Sequence, residues 1–196
     1  MPNLTSLANS HINFSTTDSF GGIIQVKNTS PTIAGTSSYM CGVPLNVRIG
    51  NYFNMQNFLS SASCISDILH NLGYHQIALL GYDSRFAGSA GFFRTHHINA
   101  IDFHNFKEML NINNDNLNDF SGFWGIKDSL VFDYAKKYLS HIDSTKPFAL
   151  YIPTADTYFP EGYVDKAYCK GLDTTYNSAI KCNDKIISDF VSWVQR

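Results

Sequence analysis

The stretch Asn28-Thr29-Ser30-Pro31-Thr32-Ile33-Ala34-Gly35-Thr36-Ser37-Ser38-Tyr39-Met40-Cys41-Gly42-Val43-Pro44-Leu45 holds the residues best placed for chemistry. A hydroxyl-rich loop runs into a small-residue helix start, and Pro31 fixes the backbone φ immediately before Thr32. A threonine there sits where free N–H groups and the positive end of a helix gather, which suits a nucleophile that must carry phosphate. The same pattern also describes a Ser/Thr-rich turn capping an ordinary helix. Two more loops join it. One holds Asp83, with Arg94 a few residues on, and the other holds Asp156-Thr157-Tyr158. Singly they read as a turn former, a surface charge and a polar loop. Together they offer a hydroxyl, a carboxylate, a guanidinium and a phenol, and arginine is the side chain best shaped for phosphate or sulfate oxygens.

Other chemistries lack their motifs. None of the seven histidines stands in an H-x-x-x-H or H-E-x-x-H pairing. The G-x-S-x-G of a serine hydrolase is missing, Gly88-Ser89-Ala90-Gly91 falling short of it. Neither a P-loop nor a dinucleotide fingerprint occurs. The four cysteines, Cys41, Cys64, Cys169 and Cys182, contain no C-x-x-C pair, which argues against a zinc ribbon or a thioredoxin-type motif. Two disulfides or four buried thiols account for them equally.

The elements that must position these groups follow from periodicity and punctuation. Pro2 to Ser10 reads as a short helix, and Ile12–Phe14 and Gly22–Val26 as extended pieces. A helix starts near Thr32 and stops by Gly42-Val43-Pro44. Arg48 to Gln56 is a loop. Ser63 reads as the N-cap of a helix with Cys64, Ile65, Ile68, Leu69 and Leu72 on its apolar face and Gly73 at its end. Tyr74 to Leu80 is a buried strand leading into the Asp83 loop, and Asn111 to Phe120 is an exposed loop. Lys127-Asp128-Ser129 opens a helix through His141, with Leu130, Tyr134, Tyr138 and Ile142 on one stripe. Phe148 to Ile152 is a second buried strand, leading into the Asp156 loop. A final helix spans about Thr175 to Val194, with Tyr176, Ala179, Ile180, Ile187, Phe190 and Val194 inward. This alternation predicts an α/β fold with a mostly parallel sheet flanked by helices, whose ligand crevice lies past the strand C-termini.

At 196 residues and 44% hydrophobic content the chain is long enough for one domain with a substantial core, and 15% charged residues argue against disorder. A net charge of −2, with no basic cluster longer than Lys136-Lys137, gives no footprint for nucleic acid. No apolar run reaches membrane-spanning length. Met1-Pro2-Asn3-Leu4-Thr5 lacks the basic stretch and apolar core of a secretion signal, so these features alone predict a soluble, unexported chain.

Several segments then occur in a telling order: Thr32-Ile33-Ala34-Gly35, Cys41-Gly42-Val43-Pro44-Leu45, Gly81-Tyr82-Asp83-Ser84-Arg85-Phe86-Ala87-Gly88, Phe92-Phe93-Arg94-Thr95-His96, Trp124-Gly125-Ile126, Ala155-Asp156-Thr157-Tyr158-Phe159-Pro160, and Tyr176 to Asp184. Together they resemble the phosphoglycerol transferases that decorate osmoregulated periplasmic glucans and, more distantly, lipoteichoic acid synthase, in the sulfatase/alkaline phosphatase superfamily. The resemblance covers nearly the whole chain. It implies an alkaline phosphatase/sulfatase-like fold and transfer of glycerophosphate from phosphatidylglycerol to a glycan or polyol hydroxyl. Thr32 would be nucleophile and metal ligand, a divalent cation, typically manganese, would activate it, and a phosphothreonine would form. Asp83 and Arg94 would hold the glycerophosphate, with Phe92 as an aromatic wall beside it.

Departures from the pattern shape the expectation. Tyr158 stands where the family presents a histidine; it can donate a hydrogen bond to a phosphate oxygen but cannot act as an imidazolium. The family's metal-binding glutamate lies on a strand that would precede Met1, and its Asp-His pair would follow Arg196. Residues 1–196 are thus expected to form an interior portion of the catalytic domain, inactive alone, whether as a fragment, an incomplete gene product or a degenerate relative. The membrane anchor would lie upstream, on the extracytoplasmic face of the bacterial inner membrane, a setting that favours disulfides Cys41–Cys64 and Cys169–Cys182. The competing reading is a non-catalytic module for glycerophosphate or an anionic glycan. Sulfatase chemistry is disfavoured, because Ser30-Pro31 has no arginine at the formylglycine-motif spacing.

Overall fold

Ile77-Ala78-Leu79-Leu80 is an unbroken apolar run, the pattern of a strand covered on both faces. In the computed structural model, which describes residues 1–19, 21–22, 26–45 and 57–196, its first three residues belong to β1 (His75–Leu79), the middle strand of a three-stranded sheet of order β2-β1-β3. β2 (Asn99–Ile101) and β3 (Phe148–Tyr151) both pair parallel with it, so that Ala78 lies opposite Ala100 on one side and Tyr151 on the other. The molecule is therefore α/β with a small parallel sheet flanked by helices, as the alternation of elements predicts. β2 has no counterpart in the sequence reading. It is three residues long and begins with Asn, too short and too polar to register as a strand by pattern. The expected Arg48–Gln56 loop, and residues 23–25 of the expected Gly22–Val26 extended piece, lie outside the described residues.

The chain divides into two compact units. The first in sequence comprises Met1–Ile24, Asn111–Ile142 and Thr154–Arg196, and the second Gln25–Leu110 and Asp143–Pro153. The second holds the sheet with α2 (Thr32–Cys41), α3 (Ile65–Asn71), α4 (Ser89–Thr95) and α5 (Phe103–Met109). Ile33, Met40, Phe58, Leu80, Phe92 and Phe93 fill its core. α2 stops at Gly42, whose φ of 68° is the left-handed conformation that glycine adopts without a Cβ penalty. On α3 two expectations change. Its N-cap is Cys64 rather than Ser63, and Ile65, Ile68 and Leu72 are exposed. The buried residue is Ser66, whose carbonyl accepts the Gln76 side-chain amide at 2.8 Å, a tertiary bond that turns the helix away from its own hydrophobic stripe.

In the other unit α7 (Asp128–Leu139) packs against α8 (Tyr176–Val194), with Phe132 edge-on to Phe190 at 5.1 Å. α7 buries Val131, Phe132 and Ala135, while the expected stripe of Leu130, Tyr134 and Tyr138 is half-buried. α8 buries Ala179, Cys182 and Ile186, and Val194, expected inward, is exposed. α1 (Pro2–Ser10) docks on α8 through Asp184, which accepts from the amides of Asn3 at 3.0 Å and Leu4 at 2.9 Å. Those first-turn N–H groups have no partner within the helix, so a buried carboxylate from α8 caps it. Ile12–Phe14 forms no strand and is exposed, and the Asn111–Phe120 loop ends in a single helical turn, α6 (Leu117–Phe120). Disulfides join Cys41 to Cys64 and Cys169 to Cys182, and no described cysteine is free. No helix among the described residues is long and apolar enough to cross a membrane.

Candidate active site

Thr32 is the first residue of α2, preceded by Pro31 in extended backbone with φ −67° and ψ 137°. Ile33, Ala34, Ser37 and Met40 face the core, which leaves Thr32 exposed. The polar Ser37 is accommodated because its hydroxyl donates to the Ile33 carbonyl at 2.8 Å. Gly35 brings the preceding loop close: a Cβ there would lie 3.1 Å from the Thr29 carbonyl oxygen. α2 packs against the turn at Phe86–Gly88 that leads into α4.

Asp83 lies in the loop after β1, where its carboxylate is gripped by Arg85, Nε lying 3.0 Å from each oxygen. His104 Nε2 adds a contact at 3.0 Å. The hydrogen bonds from Arg85 are the main reason this carboxyl is held well below the usual range, with burial opposing them. His104 is held in place by a local device. Asp102 caps α5, its side chain accepting from the His104 amide at 3.0 Å, while its own backbone N–H donates to Asn105 Oδ1 at 3.0 Å. Asp102 also accepts the Ser84 hydroxyl at 2.5 Å, tying the β1 loop to α5. The sequence reading passed over Arg85 and His104. The Asp-x-Arg spacing at 83–85 and the Asp-x-x-Asn capping pattern at 102–105 are the signals that could have found them.

Arg94, on α4, lines a cleft of about 580 Å³ with Ser84, His97, Asn99, Asp102 and Asn105. Asp83 is not among the residues lining that cleft. Phe92 has no exposed surface, and it meets Phe58 edge-on at 5.7 Å and Phe93 at 5.8 Å. A ring sealed in the core cannot be the wall of a substrate pocket in this arrangement; it backs the helix that carries Arg94.

In the other unit Tyr158 is half exposed and stacks on Trp124 with ring centroids 4.8 Å apart. Behind it lies a buried acidic pair unnoticed in the sequence. Asp156 accepts from the amides of Phe123 at 3.0 Å and Asp128 at 2.8 Å. Asp128 accepts from the amides of Ala155 and Asp156, each at 2.9 Å, and from the Asn183 side chain at 2.6 Å. Burial, then the charge of Asp128, pushes the Asp156 carboxyl up to about 7, and burial raises Asp128 as well.

A divalent ion does not fit the described residues. Among them, Cys41, Cys64 and His96 are the only group of three or more His, Cys, Asp or Glu side chains with ligand atoms within 4.8 Å of one another, and its two sulfurs are bonded to each other. Catalytic ions such as zinc take about three protein ligands, and a single hydroxyl does not supply them.

The model of the family described as Sulfatase matches residues 1–196. The chain is 31% identical over 207 residues to "Phosphoglycerol transferase I" of Xanthomonas euvesicatoria pv. vesicatoria (strain 85-10), covering all of this chain and 28% of that protein. It is 29% identical over 204 residues to the protein of the same name from Salmonella paratyphi B, covering 99% of this chain and 25% of that one. The chain thus spans about a quarter of the length of these curated relatives. Among solved structures, the lipoteichoic acid synthase LtaP from Listeria monocytogenes matches with a TM-score of 0.69 at 13% identity, over 99% of this chain and 46% of that one. The Streptococcus pyogenes phosphoglycerol transferase GacH, in complex with sn-glycerol-1-phosphate, matches with a TM-score of 0.59 at 15% identity, over 98% of this chain and 50% of that one. At these identities the two structures speak to fold alone.

Proposed function

Because the chain belongs to the sulfatase family, we propose that it carries part of a site for glycerophosphate transfer, with Thr32 as the residue that takes up the phosphoryl group. The observation that carries this reading is an exposed hydroxyl at the first position of a 10-residue helix. Unpaired amide N–H groups and the helix dipole favour an anion there. In this reading the Thr32 hydroxyl oxygen attacks the phosphorus of a phosphatidylglycerol-type donor, the bond to the lipid oxygen breaks, and diacylglycerol leaves with a proton. A hydroxyl of a glycan or polyol acceptor then displaces threonine from the phosphothreonine intermediate.

Arg94 and Asp83 hold the glycerophosphate in this proposal. The relatives' name, phosphoglycerol transferase I, and the sn-glycerol-1-phosphate bound to GacH support the substrate class. Two disulfides suit an oxidising compartment, which supports an extracytoplasmic setting, and a lipid donor places the reaction at a membrane surface. Divalent-metal dependence is general in the superfamily. No step is assigned here to an ion, manganese or other, because the described residues do not form a centre for one.

That same missing ligand set favours a second reading, a module that binds glycerophosphate or an anionic glycan without chemistry. One experiment separates them. The chain is incubated with phosphatidylglycerol vesicles and Mn²⁺, and the Thr32 peptide is weighed by mass spectrometry, while binding of sn-glycerol-1-phosphate is followed by calorimetry. A glycerophosphate adduct that vanishes in Thr32→Ala supports transfer. Metal-independent binding lost in Arg94→Ala, with no adduct, supports the module. Neither adduct nor binding overturns both.

A further inference from the structure

Cys41 and Cys64 are bonded to each other, yet their surroundings differ. Cys64 has no exposed surface, whereas Cys41 is partly exposed at the end of α2. Beside Cys64 lies His96, itself only 1% exposed. Its Nε2 is 3.6 Å from Cys64 Sγ and 3.0 Å from the Phe58 carbonyl oxygen, and its Nδ1 is 3.0 Å from Asp67 Oδ2. A carbonyl and a carboxylate only accept hydrogen bonds, so both are satisfied when both ring nitrogens carry protons. The imidazole then aims an N–H at the space shared by the Phe58 carbonyl and the Cys64 sulfur. Asp67 is fixed in turn, its Oδ2 also accepting the Cys64 amide at 2.8 Å. The Cys169–Cys182 disulfide is a built-in contrast: both of its cysteines are buried, and among the described residues no imidazole groups with its sulfurs.

We propose that Cys41–Cys64 is a thiol-exchange site for a dithiol reductant. Cys41 is the attacked sulfur, Cys64 the leaving thiolate, and His96 the group that holds that thiolate. The reductant's thiolate forms a bond to Cys41 Sγ, the Cys41–Cys64 S–S bond breaks, and its electron pair goes to Cys64 Sγ beside the His96 N–H. The reductant's second thiolate then attacks its own sulfur in the mixed disulfide and expels Cys41 as a thiolate, which takes a proton from water. The dithiol loses two electrons to become a disulfide, and the protein gains two thiols. Attack falls on Cys41 because that residue is partly exposed whereas Cys64 is buried, and departure falls on Cys64 because a charge-assisted hydrogen bond stabilises its anion. The exchange unties the end of α2 from the start of α3, and Thr32 stands at the other end of α2. The site stands whether or not the glycerophosphate reading holds.

The test uses the folded wild-type chain with limiting dithiothreitol, acid quenching, alkylation of free thiols and peptide mass mapping. Cys41 and Cys64 are expected to become alkylated roughly tenfold sooner than Cys169 and Cys182. With glutathione instead, the trapped adduct is expected on Cys41, leaving Cys64 free for alkylation. His96→Gln is expected to slow opening of Cys41–Cys64 roughly tenfold without altering the rate at Cys169–Cys182. Equal opening of the two disulfides, or an adduct on Cys64, overturns the proposal, as does a folded His96→Gln protein that opens at the wild-type rate. If circular dichroism shows His96→Gln unfolded, the order of opening and the site of the adduct in the wild-type chain decide the matter.

Discussion

Asp128 and Asp156 cap each other: the Asp156 carboxylate accepts the Asp128 amide at 2.8 Å, and the Asp128 carboxylate accepts the Asp156 amide at 2.9 Å. The exchange joins the first residue of α7 to the loop that carries Tyr158. Two buried acids are tolerated side by side because backbone amides and the Asn183 side-chain amide donate to their oxygens. That arrangement stabilises the geometry and makes it sensitive to protonation.

The first prediction concerns pH. Burial raises the Asp156 carboxyl to about 7 in the folded chain, above its ordinary value of 3.8. A group raised in this way contributes stability that is fully present below the unfolded value and is lost as pH rises through the folded one. The urea midpoint is therefore expected to fall between pH 4 and pH 7 by a component that Asp156→Asn removes, even if the variant is less stable throughout. An identical pH profile for wild type and Asp156→Asn refutes this.

Gly122 is predicted to tolerate no side chain. A Cβ there would lie 2.1 Å from Asp156 Oδ1 and 3.1 Å from the Lys127 Cα. Gly122→Ala must displace the carboxylate and strand the Phe123 and Asp128 amides, at about 1–3 kcal/mol each. A drop in melting temperature of roughly 5–15 °C is expected. Gly22→Ala, where nothing among the described residues lies within 4 Å of the new methyl, serves as the control and should leave the melting temperature nearly unchanged.

Asp83 should titrate differently once its partner is removed. In Arg85→Gln the carboxyl loses the hydrogen bonds that chiefly hold it low, so its titration midpoint should rise toward the ordinary carboxylate range, read by side-chain NMR. Melting temperature should barely move, because the pair is solvent-exposed and screened. An unshifted midpoint would show that His104 and the loop backbone are sufficient.

Manganese provides the fourth prediction. With no group of three or more His, Cys, Asp or Glu ligand atoms among the described residues other than one whose two sulfurs are bonded to each other, calorimetry on the isolated chain should find no Mn²⁺ binding in the micromolar range. Micromolar binding abolished by Thr32→Ala would mean that a ligand set assembles around this hydroxyl.

Much of this was legible in the linear order of residues. The apolar runs at 77–80 and 148–152 announce β1 and β3, the Pro31-to-Gly42 punctuation brackets α2, and the ordered motifs carry the family. These depend on local backbone preference and on periodic burial, which neighbouring residues determine among themselves. What only the tertiary structure decided depends on groups far apart in the chain. Gln76 chose which face of α3 is buried, Asp184 capped α1, and His104 reached back to Asp83. Phe92 became core because Phe58 and Phe93 close around it, and Asp128 found Asp156 across 28 positions. A buried hydrogen bond leaves no period in the sequence, since its partners are selected by the path of the fold and by the cost of leaving any of them unpaired.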